Sequence, residues 1–174
     1  MNELSTDLHD SASDIGAAVV ILCDVSSSMA GERITRLKQA LRELWATMPR
    51  CRLLAFNFRV WPVESPEKMP TPSGNTALHL ALEEARLLRP AKTIVISDGQ
   101  PDDQEAAITV AGRIPGIIDI VFVGSDSDRQ AIRFMNRLAR MGGGRVVIRD
   151  IAKTKELLGP VIRDMLALPG PIAL

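Results

Sequence analysis

The sequence predicts an α/β fold, a three-layer sandwich in which helices cover both faces of a mostly parallel six-stranded sheet. Short apolar runs of strand length alternate along the 174 residues with longer segments whose apolar positions recur every three or four residues. Most runs are separated by connections long enough for a parallel crossover, and only one pair is joined tightly enough to be antiparallel. These observations favour a single wound domain.

The first predicted strand, residues 17–23, is the organising element. Its apolar run has no polar interruption, which is typical of a strand buried on both faces. A helix is predicted over residues 33–47, because its apolar positions fall on one face. That face contains Ile34, Leu37, Leu41, Leu44, Trp45 and Met48.

The second and third predicted strands form the tightly joined pair. Residues 52–58 are apolar enough for a strand, and residues 60–63 follow after a short turn. Pro62 cannot donate a ladder hydrogen bond, so the third strand should be an antiparallel edge strand. A proline-rich loop follows, and then a helix over residues 75–89, which Pro90 ends.

The second half of the chain continues the alternation of strand and helix. Asp102 with Glu105, and Ser127 with Gln130, have the spacing of a capping box and should open two of the helices. Asp119 lies inside an otherwise apolar strand, and the sequence offers no reason for it. The predicted strands are 92–97, 117–123 and 145–149, and the helices begin at Asp102, after Ser127 and around Pro160.

One domain is expected over residues 16–168. Residues 1–15 are polar and acidic and are expected to form a flexible N-terminal arm, and residues 169–174 a C-terminal tail. The arm lacks the apolar core of a signal peptide, and no apolar run approaches the ~20 residues of a membrane span. A cytoplasmic location without membrane contact is therefore expected.

Composition argues against some classes of function. Lys plus Arg equals Asp plus Glu at 21 each, only 3% of residues are aromatic, and Tyr is absent. No nucleic-acid partner is expected, because such proteins usually show a basic excess or aromatic stacking platforms. Cys23 and Cys51 fall at opposite ends of neighbouring parallel strands, which is too far apart for a disulfide, so two free thiols are expected.

Carboxylate and hydroxyl side chains that could bind a metal occur at three places, each at the end of a predicted strand or the beginning of a predicted helix. Asp24, Ser26 and Ser28 alternate directly after the first strand. Thr76 lies at the amino end of the second predicted helix, and Asp98 follows the fourth strand. All five are hard oxygen donors, which suit Mg²⁺, Mn²⁺ or Ca²⁺ and not zinc or copper. The sequence therefore indicates a site for a hard divalent cation.

This five-residue pattern closely resembles the metal-ion-dependent adhesion site of the von Willebrand factor type A domain. That family has Asp-x-Ser-x-Ser, then a Thr, then an Asp, each after a strand of a parallel sheet, and all five positions are present here. The resemblance implies a Rossmann-like sandwich with sheet order 3-2-1-4-5-6. It also implies that the strands ending at Asp24 and Asp98 are neighbours, with a crevice between their carboxyl ends.

The resemblance further implies a protein-protein interaction module and not an enzyme. In the family, the two serines and often the Thr bind the metal directly, and the aspartates act largely through water. A metal held by neutral hydroxyls keeps much of its charge, and a partner protein supplies an Asp or Glu as its last ligand. Stand-alone bacterial members often serve MoxR-type AAA+ ATPases, or stress-response and metal-resistance systems, and nothing in this chain selects among them.

Two alternative functions stay open. A Mg²⁺-dependent phosphohydrolase of the HAD type also has an Asp after its first strand, but it needs a second Asp two residues later, where this chain has Ser26. The sequence also lacks a phosphate-binding glycine loop with its Lys and a nucleophile elbow. The other alternative is a structural scaffold whose metal site is vacant.

Three further sets of polar residues have two interpretations each. Asp102 and Asp103 could be extra metal ligands, but helix capping is the favoured role. His79 could support the metal, but a helix-surface position is favoured. An arginine stripe could dock an acidic partner or a nucleic acid, although a solvated outer face is favoured. The stripe consists of Arg129, Arg133, Arg137 and Arg140.

Overall fold

The computed structural model describes residues 18–48 and 50–167, so the predicted arm (1–15) and tail (169–174) lie outside the described residues. Within them the chain forms six strands and five α-helices. The strands are β1 Val19–Asp24, β2 Cys51–Phe56, β3 Val60–Val63, β4 Lys92–Ser97, β5 Ile117–Phe122 and β6 Val146–Ile148. The helices are α1 Glu32–Leu44, α2 Leu78–Leu88, α3 Gln104–Ala111, α4 Arg129–Met141 and α5 Leu158–Leu166.

The six strands form one sheet in the order β3-β2-β1-β4-β5-β6. Every neighbouring pair is parallel except β2 and β3, which pair antiparallel with Leu54 opposite Pro62. Pro62 lies on an edge strand, where a missing N–H is tolerated. The predicted sheet order and the single antiparallel edge strand are both confirmed.

β1 is buried along its whole length because helices cover both faces of the sheet. Val19, Ile21 and Cys23 pack into the apolar cluster beneath α1 and α5. Val20 and Leu22 pack into the cluster beneath α2, α3 and α4. The alternation of side chains along the strand therefore creates two cores, and the fold has the three predicted layers of helix, sheet and helix.

α1 buries the apolar face that its residue spacing predicts. Leu37 and Leu41 are fully buried, and Ile34, Leu44 and Met48 are also in the core. The α-helix ends at Leu44, earlier than predicted, and a 3₁₀ turn continues it for three residues.

α2 begins at Leu78, three residues later than predicted. The backbone before it is engaged elsewhere, since the N–H of Ala77 donates to the carbonyl oxygen of Asn57 at 2.6 Å. The buried Asn57 amide also donates to the carbonyl oxygen of Ser73 at 2.8 Å. These bonds hold residues 73–77 in a loop beside β2, and the helix starts only beyond them.

Both predicted capping boxes are wrong by one residue. Asp103, and not Asp102, caps α3, accepting a hydrogen bond of 2.9 Å from the backbone N–H three residues on. Asp128, and not Ser127, caps α4 in the same way at 3.0 Å. An N-cap side chain must accept a hydrogen bond from a backbone N–H of the first turn, and a carboxylate does this as well as a hydroxyl does. Each helix therefore begins after the acceptor side chain that the local backbone conformation brings to its first turn.

The structure explains the acidic residue inside β5. The carboxylate of Asp119 lies 3.2 Å from Nζ of Lys92 on β4, and both residues are buried. The Lys92 ammonium also donates to the carbonyl oxygens of Met165 and Ala167, at 2.7 and 2.9 Å. The other Asp119 oxygen accepts the N–H of Arg145 at 3.0 Å. This buried pair therefore ties the end of α5 to the amino edge of the sheet.

Cys23 and Cys51 are free thiols, as predicted. The register of β1 and β2 places Val19 opposite Cys51, so Cys23 lies about 13 Å further along the neighbouring strand. Among the described residues, no helix combines the length and the hydrophobicity that a membrane crossing requires.

Candidate metal centre

The five predicted donors lie at the carboxyl edge of the sheet, where β1 and β4 end side by side, with Asp24 at the end of β1 and the other four on loops. The chain leaves β1 toward α1 on one face of the sheet and leaves β4 toward α3 on the other face. Open α/β sheets bind their ligands in the crevice that such a divergence creates. The donors therefore occupy the part of this architecture that is most typical of a ligand site.

Asp24 is the last residue of β1 and is fully buried. One carboxylate oxygen accepts the N–H of Ser26 at 2.8 Å, and the other accepts the hydroxyl of Ser97 at 2.6 Å. Burial, which is the larger effect, and the nearby charge of Asp98 together raise the pKa of Asp24 to about 6, against the lowering effect of the hydrogen bonds from Ser97 and Ser26. The charged form of a carboxylate in this environment is stabilised by any cation brought close to it.

A chain of hydrogen bonds joins the two serines to Asp98. The Ser28 hydroxyl donates to Oδ1 of Asp98 at 2.8 Å, and the hydroxyl oxygens of Ser26 and Ser28 lie 3.1 Å apart. Because the single hydroxyl proton of Ser28 goes to Asp98, Ser26 is the donor in the second bond. Both hydroxyl hydrogen bonds are therefore directed toward the Asp98 carboxylate. Each serine oxygen keeps a lone pair with which it can bind a further ligand.

Arg33, in the first turn of α1, adds a cation to the same cluster. Its Nη1 donates to Oδ2 of Asp98 at 2.6 Å and to the carbonyl oxygen of Ser28 at 3.0 Å. The side chain of Asp98 is 1% exposed and that of Arg33 is 32% exposed. The carboxylate is therefore shielded from water, whereas about a third of the Arg33 side chain stays accessible from solvent.

Thr76 is brought to the site through its backbone. The N–H of Ser27 donates to the carbonyl oxygen of Gly74 at 3.0 Å, and the N–H of Ser73 donates to that of Val25 at 2.9 Å. These two bonds fix the loop that carries Thr76 beside the serine loop. The hydrogen bonds of the described residues thus join Ser26, Ser28 and Asp98 through their side chains and join the Asp24 carboxylate to the backbone N–H of Ser26, and the fifth donor lies in the adjoining loop.

The donor set fits a hard divalent cation. It consists of two carboxylates and three neutral hydroxyls, and oxygen ligands of these kinds are the ones that Mg²⁺ and Ca²⁺ take. Nowhere in residues 18–48 and 50–167 do three or more His, Cys, Asp or Glu side chains gather as a potential metal site. A metal at this edge would therefore depend on the Ser and Thr oxygens as well as on the two carboxylates.

Two further residues of the cluster, Ser97 and Arg33, were not predicted to belong to the site. Ser97 ends β4 and bonds to Asp24 at the end of β1, so the predicted strand order could have indicated the contact. Arg33 lies five residues after Ser28 in the first turn of a helix that starts at this edge of the sheet. That spacing is the one signal for Arg33 that the sequence contains.

The other predicted candidates lie around the cluster. Asp103 caps α3, which agrees with the favoured interpretation, whereas Asp102 accepts the N–H of Thr76 at 3.3 Å and donates its own N–H to the carbonyl oxygen of Thr76 at 2.9 Å. Asp102 therefore ties the loop after β4 to the Thr76 loop. His79, in the first turn of α2, is half-buried, which makes it less exposed than predicted, and its Nδ1 has no hydrogen-bond partner among the described residues.

The arginine stripe is exposed along α4, as expected of a solvated outer face. Arg137 pairs with both carboxylate oxygens of Glu105 on α3, at 2.7 and 3.2 Å. A docking role for the stripe stays a prediction.

Comparisons with known proteins identify no family for the chain. No family model matches it, and no curated protein matches it. One similar solved structure contains the three N-terminal domains of the type V pili tip protein Mfa5 from Porphyromonas gingivalis, at 20% identity and a TM-score of 0.36. The match covers 48% of this chain and 20% of the pilus protein chain, and a TM-score of this size does not establish a shared fold.

Proposed function

We propose that this chain is a divalent-metal-dependent protein-interaction module of the von Willebrand factor type A kind, which captures an Asp or Glu side chain of a partner protein. The observation that carries the proposal is the hydrogen-bonded cluster at the divergence of β1 and β4. The cluster combines a buried carboxylate with hydroxyl oxygens that have free lone pairs, at the sheet edge where such folds bind ligands. Four of the five proposed metal ligands belong to this cluster, namely Asp24, Ser26, Ser28 and Asp98.

Mg²⁺ is the proposed cofactor, and Mn²⁺ or Ca²⁺ could replace it. Ser26, Ser28 and Thr76 would hold the ion through neutral hydroxyl oxygens. Asp24 and Asp98 would contribute charge, either directly or through water. When bound, the ion supplies an electropositive position that accepts an external carboxylate.

Binding is proposed in preference to catalysis because two features of the cluster do not suit an enzyme. A phosphohydrolase of the HAD type needs a second Asp two residues after the first, and that position is Ser26. In the part of the chain that the structure describes, the hydroxyls of Ser26 and Ser28 bond to each other and to Asp98, and neither bonds to a His that could serve as the base for a nucleophilic hydroxyl. Hydrolysis of p-nitrophenyl phosphate that disappears in Asp24→Ala would overturn this proposal and favour the phosphohydrolase alternative.

The proposed partner is a protein with an exposed acidic residue, and the resemblance makes a cytoplasmic MoxR-type AAA+ ATPase a candidate. A complementary surface around the metal must supply most of the affinity, because one carboxylate contact alone is weak. A pull-down performed with Mg²⁺ and repeated with EDTA separates metal-dependent partners from other bound proteins.

Isothermal titration calorimetry with Mg²⁺ and with Mn²⁺ tests the metal site. Wild-type protein should bind one ion, and Ser28→Ala and Asp98→Ala should weaken the affinity by roughly 10- to 100-fold. Asp164→Asn is the matched control, since it removes an exposed carboxylate on α5, near the amino edge of the sheet. Absence of heat and of any shift in Tm with wild-type protein would contradict the proposal and favour the scaffold.

A further inference from the structure

We propose that Arg33 sets the charge of the loaded site: it lowers the affinity for the divalent cation and raises the affinity of the bound cation for an external carboxylate. This inference rests on the proposed function, since it concerns the same site.

The first support is the position of the guanidinium. Nη1 of Arg33 bonds at once to the Asp98 carboxylate and to the carbonyl oxygen of Ser28. Two of the proposed donor residues therefore already face a positive charge. A divalent ion that uses Ser28 and Asp98 must come within a few ångströms of this guanidinium.

The second support is the charge of the cluster. Asp24 and Asp98 carry two negative charges, and Arg33 carries one positive charge, so the cluster has a formal charge of −1. A divalent cation would change that charge to +1. Without Arg33 the cluster would start at −2, and the ion would only neutralise it. Arg33 therefore makes the difference between a neutral site and a cationic one.

The third support is the exposure of the ion pair. Asp98 is shielded from water, but about a third of the Arg33 side chain is accessible. The guanidinium can thus face an incoming anion without leaving Asp98, because its remaining N–H donors are not used by the two bonds of Nη1. An arginine fork matches the geometry of a carboxylate, which is the ligand class proposed for the metal.

The sign of the effect on metal affinity distinguishes this charge role from a positioning role. If Arg33 only holds Asp98 in place, then its removal should weaken metal binding. If the charge of Arg33 opposes the ion, then its removal should strengthen metal binding. The expected gain in affinity is about 10-fold, even if the repulsion between the guanidinium and the ion is as weak as it would be in water.

The test measures Mn²⁺ affinity by electron paramagnetic resonance in wild type, Arg33→Gln, Arg33→Lys and Arg113→Gln. Arg113→Gln is the control, because it removes an exposed guanidinium just after the end of α3, away from the cluster. Each protein is then saturated with Mn²⁺, and acetate binding is followed by the broadening of its methyl proton signal. Thermal unfolding of each variant verifies that it is folded.

We expect Arg33→Gln to bind Mn²⁺ about 10-fold more tightly at low ionic strength and acetate several-fold more weakly, with the first difference shrinking in 0.5 M salt. Arg33→Lys keeps the charge and should resemble wild type in Mn²⁺ affinity, and Arg113→Gln should be unchanged. Mn²⁺ binding by folded Arg33→Gln that is equal to or weaker than that of wild type overturns this inference and leaves the proposed function standing. Absence of Mn²⁺ binding by wild type overturns the proposed function itself.

Discussion

The hydroxyl of Ser28 donates a hydrogen bond of 2.8 Å to the carboxylate of Asp98, a residue 70 positions later in the chain. The contact joins the loop after β1 to the loop after β4. The candidate site is therefore assembled by the pairing of these two strands, and changes that move the end of either strand should disturb it.

Ser97→Ala should destabilise the metal-free protein by about 1–3 kcal/mol, because the buried Asp24 carboxylate loses its hydroxyl donor. Urea unfolding in EDTA measures the change. Ser125→Ala is the control, since it deletes a hydroxyl that bonds only near the surface, to Ser127. Equal stabilities for Ser97→Ala and wild type would mean that the bond to Asp24 contributes nothing to folding.

Gly124→Ala should destabilise the fold by about 1–3 kcal/mol and displace Asp98, since a Cβ at this position would lie 2.2 Å from the Asp98 carbonyl oxygen. Gly99→Ala, on the other side of Asp98, is a matched control, because a Cβ there has no neighbour within 4 Å. Its stability should stay within about 0.5 kcal/mol of wild type. Thermal or urea unfolding of the two variants should therefore separate them, and indistinguishable curves would contradict the close approach of β5 to the site.

Lys92→Met should cost about 3–5 kcal/mol, because it leaves the buried carboxylate of Asp119 without its cation. Urea unfolding measures the loss, and the double variant Lys92→Met with Asp119→Leu should recover part of it, since no buried charge is then unpaired. Lys155→Met, which changes an exposed lysine, is the control and should stay near wild type. A cost below about 1 kcal/mol for Lys92→Met would argue against a buried ion pair.

Cys51 should react with a thiol reagent much faster than Cys23 in the native protein. Cys23 is fully buried, and desolvation with the neighbouring Asp24 charge raises its thiol pKa strongly, whereas Cys51 is half-buried and its pKa is raised by desolvation alone. Since the thiolate is the reactive form, both effects slow Cys23. Mass spectrometry after brief labelling identifies the modified residue, and the protein unfolded in urea should show equal labelling. Fast native labelling of Cys23 would contradict its burial.

The parts of the fold that periodicity controls could be predicted from the sequence. The uninterrupted apolar run of β1 indicated a strand buried on both faces, and the spacing of Leu37 and Leu41 indicated the buried face of α1. Pro62 indicated an edge strand for a local reason, its missing N–H. The sheet order itself came from the resemblance, and the pairing of the strands bears it out.

The parts that depend on tertiary contacts could not be predicted. The late start of α2 follows from the backbone bond between Ala77 and Asn57, which no local pattern of apolar residues encodes. Asp119 is buried because Lys92, on a different strand, reaches it. The contact of Arg33 with Asp98 has the same origin, since it depends on α1 starting at the edge where β4 ends.

The most direct test of the account is a crystal structure of the protein grown with Mn²⁺ and measured at a wavelength where manganese scatters anomalously. We predict one anomalous peak at the carboxyl edge of the sheet, bounded by the hydroxyl oxygens of Ser26, Ser28 and Thr76. Hydroxyls that point away from one another, with no peak between them, would contradict the proposed metal centre even if the sheet is unchanged.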